Sequence, residues 1–400
     1  MNPGFRVLKK LDGRWVAAGM IVAYFGVIAV AVLVFHGTLH SVCNDLGVPG
    51  KKLLFGDFRD VARGVDRFMA SDDRWSADSI AYSVSAFNYP KWWLGAGYLG
   101  LSVKTCDAFS IGMILLFYLS SFYVLGPLTW VEGIMAGLVF ISPNIMTGIQ
   151  RANGDLLIFS MMSAVLALRR SVPLATLIMT FAALLKIYPA ASLVVLMRAP
   201  WRKNLFWLIA AVTVLAIDVL TSAAEYRSIA DNTNYTNNFA FGSTPALVTL
   251  HGDNFSSPQE YDEYMVIGDL VLLAVMGLSF WVRPVLEIKP EGERAAYAFQ
   301  LGAALYLGTF ALGSNHDYRT VVLIFCLPLL FALFRETGKI RRWASAALML
   351  IILYSCWRYM TGLTQVEFVY LKQIVAWAIL ALLSGILSST FTWSRQLETR

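Results

Sequence analysis

The sequence predicts an all-α polytopic membrane protein in which about twelve helices cross the bilayer. Of its 400 residues, 58% are hydrophobic and only 14% are charged, and the mean hydropathy is +0.61. Soluble domains average about 45–50% apolar and about 25% charged residues. The apolar residues also fall in blocks of roughly 18 to 20, the helical length that crosses about 30 Å of hydrocarbon. Together these observations exclude a water-soluble globule.

The predicted spans form one integral-membrane domain over residues 1–400. The fifth and sixth are short for a crossing and are separated by Pro189, so we expect a tilted or broken pair around a cavity. The twelve segments are residues 15–37, 108–126, 131–149, 155–168, 172–186, 187–197, 205–222, 265–282, 295–313, 320–334, 343–361 and 371–390.

Basic residues mark alternate loops and so predict the orientation. Clusters of Lys and Arg occur before the first span and in the loops after the fourth, sixth, eighth and tenth spans, which the positive-inside rule assigns to the cytoplasm. Both termini are therefore expected in the cytoplasm of a cell that carries the protein in its plasma (inner) membrane. The same rule accounts for the net charge of +6, so we expect no nucleic-acid partner. Residues 38–107 and 223–264 become the two large extracytoplasmic loops.

The first loop contains a predicted amphipathic helix over residues 57–69. Apolar residues recur at 58, 61, 65 and 68, which is one helical face. Such a helix is typical of the membrane interface. Arg59, Arg63 and Arg67 form a stripe on another face. The stripe is predicted either to bind a lipid phosphate at the site or to touch anionic headgroups in general.

Polar residues collect at the extracytoplasmic ends of several spans. Ionisable groups at such depth are costly unless they are paired or face water, so they predict a functional cavity, although any outer loop is polar to some degree. A carboxylate there can act as a general base, and cations can hold a leaving phosphate. One base with several cations suits an inverting glycosyl transfer. The residues concerned are Asp57, Asp60, Arg151, Asn153, Asp155, Lys186, Asn315, His316, Asp317 and Arg319.

No metal or other cofactor is predicted. The four histidines are scattered, and the four cysteines lack the spacing of metal ligands. A disulfide between Cys43 and Cys106 is a minor possibility, because both are expected outside the cytoplasm.

Five short motifs follow one another along the chain on the predicted outer side. They are Phe55-Gly56-Asp57-Phe58, Asn88-Tyr89-Pro90, Arg151-Ala152-Asn153-Gly154-Asp155, Lys186-Ile187-Tyr188-Pro189 and His316-Asp317-Tyr318. Taken in order and sidedness, they resemble glycosyltransferase family 87 of the GT-C superfamily, which includes polyprenol-phosphate-mannose-dependent α-1,2-mannosyltransferases. The resemblance runs over most of the chain in motif order and hydropathy.

The resemblance implies a GT-C-type bundle, Asp57 as the catalytic aspartate and His316 as a cavity histidine. It also implies inversion without a metal, with a polyprenyl-monophosphate sugar as donor and a lipid or glycan hydroxyl as acceptor. A helix N-cap is the structural alternative for Asp57. The predicted donor-phosphate and substrate contacts are Lys186, Arg151, Asn153, Asp155, Arg59, Arg63, Tyr89, Tyr188 and Arg319.

Two other classes remain open from the sequence. A secondary transporter or flippase also suits twelve spans, but transport sites usually lie near the midplane on broken helices. A glycan polymerase or ligase would differ in using a lipid-pyrophosphate donor.

Overall fold

The protein is described by a computed structural model covering most of the chain. The described residues are 12–34, 37–49, 51–74, 76–84, 89–198, 200–231, 240–251, 258–282, 292–312, 315–336, 338–357 and 366–398. Asn88 and residues 232–239 and 252–257 of the second large loop lie outside them.

The first half of the described chain folds into ten α-helices and two 3₁₀ helices. The α-helices are α1 (Gly13–Val34), α2 (Leu39–Asp45), α3 (Gly56–Ala70), α4 (Ala77–Val84), α5 (Cys106–Leu125), α6 (Trp130–Phe140), α7 (Pro143–Arg151), α8 (Asp155–Ala167), α9 (Val172–Leu185) and α10 (Trp201–Thr221). The 3₁₀ helices are Lys91–Leu99 and Tyr188–Met197.

The second half adds further helices and one short strand pair. The helices are α11 (Ala223–Asp231), α12 (Ser243–His251), α13 (Pro258–Trp281), α14 (Glu293–Ala311), α15 (Leu327–Arg335), α16 (Lys339–Trp357), α17 (Val366–Glu398) and the 3₁₀ helix Asp317–Cys326. The strands β1 (Ala240–Phe241) and β2 (Asn315–His316) pair antiparallel, with Ala240 opposite His316.

The structure confirms the all-α membrane class. Six helical stretches in the described residues are long and apolar enough to cross a bilayer, or seven if one bent pair counts as a span. Three further apolar helices are shorter, namely α8, α9 and the 3₁₀ helix Tyr188–Met197. The count of twelve crossings therefore stays a prediction.

The predicted third span, residues 131–149, is wrong as a single helix. It is divided into α6 and α7, which are bent by 52°. Ser142 is extended (φ −67°, ψ 150°), as expected of a residue before proline, and Pro143 opens α7. The break directs the end of α7 towards the first loop.

Burial separates a central group of helices from a peripheral one. Every residue of α14 from Ala296 to Phe310 is buried, because this helix packs between the 3₁₀ helices Tyr188–Met197 and Asp317–Cys326. The apolar helices α1, α10 and α13 instead expose most of their side chains. An apolar helix with an exposed surface is stable when that surface faces lipid.

The predicted amphipathic helix of the first loop is confirmed as α3, but its environment differs. Phe58, Val61, Val65 and Phe68 are buried against protein, because α3 packs on the 3₁₀ helix Lys91–Leu99 and on α4. The apolar face therefore anchors the loop to the bundle, and the first turn of α3 is held in a fixed place.

Candidate functional site

Asp57 lies in the first turn of α3, and its carboxylate does not cap the helix. Phe55 occupies the N-cap position in the left-handed region (φ 60°) and makes no side-chain cap. The Oδ2 atom of Asp57 accepts a hydrogen bond from Asn153 Nδ2 at 2.7 Å, and Oδ1 lies 2.9 Å from Lys51 Nζ. The N-cap alternative is therefore wrong, and the buried carboxylate points into a polar cluster.

Asn153 is the centre of that cluster. Its Nδ2 atom donates to Asp57 and to Tyr89 Oη at 3.0 Å, and its Oδ1 atom accepts from Lys186 Nζ at 2.9 Å and from the Asp155 backbone N–H at 3.0 Å. These four bonds use the full hydrogen-bonding capacity of an amide side chain. Asn153 therefore links Asp57, Tyr89, Lys186 and Asp155, and its predicted contact with substrate stays a prediction.

The backbone before Asn153 places its side-chain amide between Asp57 and Lys186. Ala152 is in the left-handed region (φ 46°) and terminates α7, and the Asn153 N–H donates to the Gly148 carbonyl. Left-handed backbone is costly for alanine, so surrounding contacts must hold it. A Cβ on Gly154 would lie 2.8 Å from Trp93, which leaves glycine as the residue that fits there.

Lys186 and Asp155 form a buried ion pair on the other side of Asn153. Lys186 Nζ lies 2.8 Å from Asp155 Oδ1, and Tyr188 Oη donates to the same oxygen at 2.9 Å. Lys186 Nζ also lies 4.8 Å from the centre of the Tyr89 ring. The ammonium thus has two hydrogen-bond acceptors and an aromatic face already in place, and Asp155 supplies its counter-charge.

Arg319 and Arg151 give the cluster its excess positive charge. Arg319 Nε lies 3.7 Å from Asp155 Oδ2, and its guanidinium stands over the Tyr188 ring at 5.3 Å. Arg151 donates from Nη2 to the Pro49 carbonyl at 3.3 Å and lies 5.9 Å from the centre of the Tyr318 ring. The Nε atoms of both arginines are buried without a hydrogen-bond partner among the described residues.

His316 completes the arrangement next to these arginines. Its ring stacks on Tyr318 at 5.3 Å, and the strand pairing with Ala240 fixes its backbone. Burial and the charges of Arg319 and Arg151 lower the pKa of His316 to about 4, against a smaller opposing effect of Asp57. The imidazole is therefore neutral at pH 7.

Arg59 and Arg63 lie apart from the cluster. Arg59 pairs with Asp107 at 2.6 Å and donates to the Leu54 carbonyl, while Arg63 pairs with Asp60 at 2.8 Å. They were predicted as donor contacts, and among the described residues neither makes a direct hydrogen bond to the cluster, so that role stays a prediction. The structure thus brings together Asp57, Tyr89, Arg151, Asn153, Asp155, Lys186, Tyr188, His316 and Arg319.

Sequence reasoning missed Lys51, whose Nζ atom bridges Asp57 and Asp60. Burial and these two carboxylates act in opposite directions, and the carboxylates raise the pKa of Lys51. It also missed a buried pair behind His316, in which Lys372 Nζ lies 3.1 Å from Asp317 Oδ2. A lysine inside the apolar run of the last span was the available signal for that pair.

Within the described residues, no three His, Cys, Asp or Glu side chains come close enough to hold a metal ion. All four cysteines are buried and free, so the possible pairing of Cys43 with Cys106 is wrong. Comparison of the chain with protein-family models, with curated proteins and with solved structures finds no match.

Proposed function

We propose that the protein is a membrane glycosyltransferase of the GT-C type. It would move a mannose-like hexose from a polyprenyl monophosphate to a hydroxyl of a lipid or glycan acceptor. The observation that carries the proposal is the position of Asp57. Its carboxylate is buried and fixed by Asn153 and Lys51, and it faces a cluster with surplus positive charge.

Asp57 has the geometry of a general base in this proposal. As the acceptor oxygen attacks the anomeric carbon, the bond from that carbon to the phosphate oxygen breaks, and polyprenyl phosphate leaves with the electron pair. Asp57 takes the proton of the acceptor hydroxyl. Backside attack by one external nucleophile inverts the anomeric carbon and needs only one carboxylate.

The arginines are the better candidates to hold the donor phosphate. Lys186 was predicted for this role, but Asn153, Asp155 and the Tyr89 ring already surround it. Arg319 and Arg151 each keep a buried Nε without a hydrogen-bond partner among the described residues. Guanidinium groups bind phosphate oxygens through paired N–H donors, and a donor phosphate in the cluster would offset the charge of the arginines.

The reaction would take place on the extracytoplasmic face. This orientation follows from the alternation of basic loops, which assigns the cluster to the side opposite the Lys- and Arg-rich loops. A polyprenyl phosphate in the outer leaflet would then reach the cluster from the membrane, and the nearby Trp92 and Tyr98 side chains are exposed aromatics of the kind found at headgroup level.

The decisive experiment assays the purified protein with several polyprenyl-phospho-sugars and compares it with Asp57→Asn. Asparagine still accepts the bond from Asn153 but cannot take a proton at neutral pH. We expect a loss of transfer of at least about 10²-fold, the usual scale for a general base. Donor binding and the unfolding midpoint in detergent should be retained.

Asp60→Asn is the matched control for this variant. Asp60 shares Lys51 with Asp57 but makes no bond to Asn153. If displacement of Lys51 caused the loss, both variants would lose transfer alike. Near-wild-type turnover in folded Asp57→Asn would remove the general-base role.

A second variant tests the donor phosphate. Arg319→Gln should weaken donor use roughly ten- to hundredfold, because a lost charged hydrogen-bond partner costs about 1.5–3 kcal/mol. Arg59→Gln removes the same charge outside the cluster and should leave donor kinetics unchanged. Equal effects from the two variants would argue against a phosphate at Arg319.

A transporter or flippase is the second candidate function. It is favoured by two breaks in the apolar helices, at Ser142 between α6 and α7 and at Lys186 after α9. The same assay separates the classes. A transferase releases polyprenyl phosphate as product forms, a transporter moves the lipid without cleaving it, and a polymerase or ligase requires a lipid-pyrophosphate donor.

A further inference from the structure

The other end of the helical run Asp317–Arg335 carries two adjoining depressions. Nineteen residues of helix separate Arg335 from the candidate site, which is about 30 Å along the axis and roughly one hydrocarbon thickness. The lining residues of these depressions are therefore separate from the cluster around Asp57.

The first depression is a basic cleft of about 1250 Å³. It lies between the end of α5, the start of α14, the end of α15 and the start of α16. Among the described residues that line it, four are cations and Glu336 is the single acidic one. The cations are Arg294, Arg335, Lys339 and Arg341.

Nearby partners neutralise only part of this charge. Arg335 makes a bidentate ion pair with the buried Glu132, donating from Nε to Oε1 at 2.7 Å and from Nη2 to Oε2 at 2.5 Å. Arg341 lies 3.4 Å from Glu336. Among the described residues, Arg294 donates to the carbonyls of residues 123 and 124 and makes no ion pair, which leaves its charge in place. The cleft keeps a net positive charge that an anion can offset.

The second depression is an apolar groove of about 550 Å³ between α13, α15, α16 and α17. Ser279, Ser345 and Arg341 are the polar residues among those that line it. The groove and the cleft share Leu333, Ile340 and Arg341, so they meet where α15 ends and α16 begins.

Exposed aromatic side chains place this junction at the membrane surface. Trp281 at the end of α13 is 82% exposed, and Trp343 in the first turns of α16 is 72% exposed. Tryptophan at the ends of apolar helices is typical of headgroup depth. A ligand bound here would have its charged part in the interface and its apolar part beside the hydrocarbon.

We propose that these two depressions bind one anionic phospholipid of the leaflet opposite the candidate site. Its phosphate would lie in the cleft beside Lys339 and Arg341, and one acyl chain would fill the groove along Leu348 and Leu382. Basic pockets between membrane helices bind anionic headgroups in this way. A zwitterionic lipid would leave the net charge of the cleft uncompensated.

The test measures binding of phosphatidylglycerol and phosphatidylcholine to the purified full chain. Native mass spectrometry should show retained phosphatidylglycerol, and that lipid should raise the unfolding midpoint in detergent more than phosphatidylcholine does. Equal retention and equal stabilisation by both lipids would overturn the proposal. An equal rise with inorganic phosphate would show an anion site without lipid, which overturns it as well.

Two variants locate the lipid. Lys339→Gln/Arg341→Gln should weaken phosphatidylglycerol binding about thirtyfold, since each cation near an anionic lipid contributes roughly a fivefold gain. Ala344→Trp fills the groove, keeps all four cations and should also reduce binding. Arg202→Gln/Lys203→Gln removes two exposed charges predicted on the same membrane side and should bind as wild type does. Unchanged binding in both site variants would overturn the proposal.

Discussion

Two ion pairs of nearly the same length lie in very different environments in this molecule. Lys186 and Asp155 are 2.8 Å apart and only 5% and 2% exposed, whereas Arg59 and Asp107 are 2.6 Å apart and 26% and 58% exposed. Distance alone would rank them as equals. Burial distinguishes the two pairs. Removing one partner of the buried pair leaves the other charge without a counter-ion or water, whereas solvent screens both charges of the exposed pair.

This difference sorts the predicted site residues into two groups. Inside the bundle, Lys186, Asp155 and Asn153 depend on one another through shared hydrogen bonds. Along α3, Arg59 and Arg63 make separate surface contacts. A change at a buried member should therefore affect folding as well as the site, and a change at an outer arginine should affect neither strongly.

The largest effect on stability is expected for Lys186→Ala. It leaves Asp155 as a buried carboxylate without its nearest cation, and breaking such a pair typically costs about 3–5 kcal/mol. Denaturant titration in detergent micelles measures this cost. Asp155→Asn in the same chain removes the stranded charge and should recover part of the loss. Lys104→Ala, at an exposed lysine, should be neutral, and an equally stable Lys186→Ala would break the comparison.

A smaller effect is expected from the pH dependence of His316. Its folded-state pKa is about 4, below the ordinary value of about 6.5, so the unfolded chain binds the proton more readily. Stability is full above about pH 6.5 and falls by at most about 3 kcal/mol as the pH drops through 4. His316→Gln should flatten that part of the profile. The pH profiles of stability of variant and wild type are compared, so that the titration of carboxylates present in both cancels. Parallel profiles would contradict the prediction.

The sequence predicted more of the fold than of the site. The apolar blocks and the amphipathic period of residues 57–69 depend on local spacing, and both appear as helices. Pro143 signals the bend at Ser142, but the length of the apolar run favours a single span over residues 131–149. Hydrophobic period indicates that a helix exists and says less about where it breaks.

The contacts within the site depend on distant parts of the chain. Asp57 and Asn153 are 96 positions apart, and Lys51 has no motif that marks it. The predicted topology places Arg319 and Arg59 at the same membrane face but does not predict the directions of their side chains. The tertiary packing of α3 brings Arg59 to Asp107, 48 positions along the chain, and no local sequence pattern predicts that contact.

The smallest effect should come from the outer pair itself. Arg59→Gln, Asp107→Asn and the double variant form a cycle whose coupling energy should be about 0.2–1 kcal/mol, the range measured for exposed pairs. The distance of 2.6 Å would suggest a stronger interaction, but both side chains also lose rotamer freedom and gain little over hydration. Raising the ionic strength to about 1 M shortens the Debye length to about 3 Å and should abolish most of the coupling. The same salt should leave the cost of Lys186→Ala nearly unchanged, since ions do not enter a buried pair. A salt-resistant coupling of several kcal/mol at Arg59 would mean that burial does not separate these two regions.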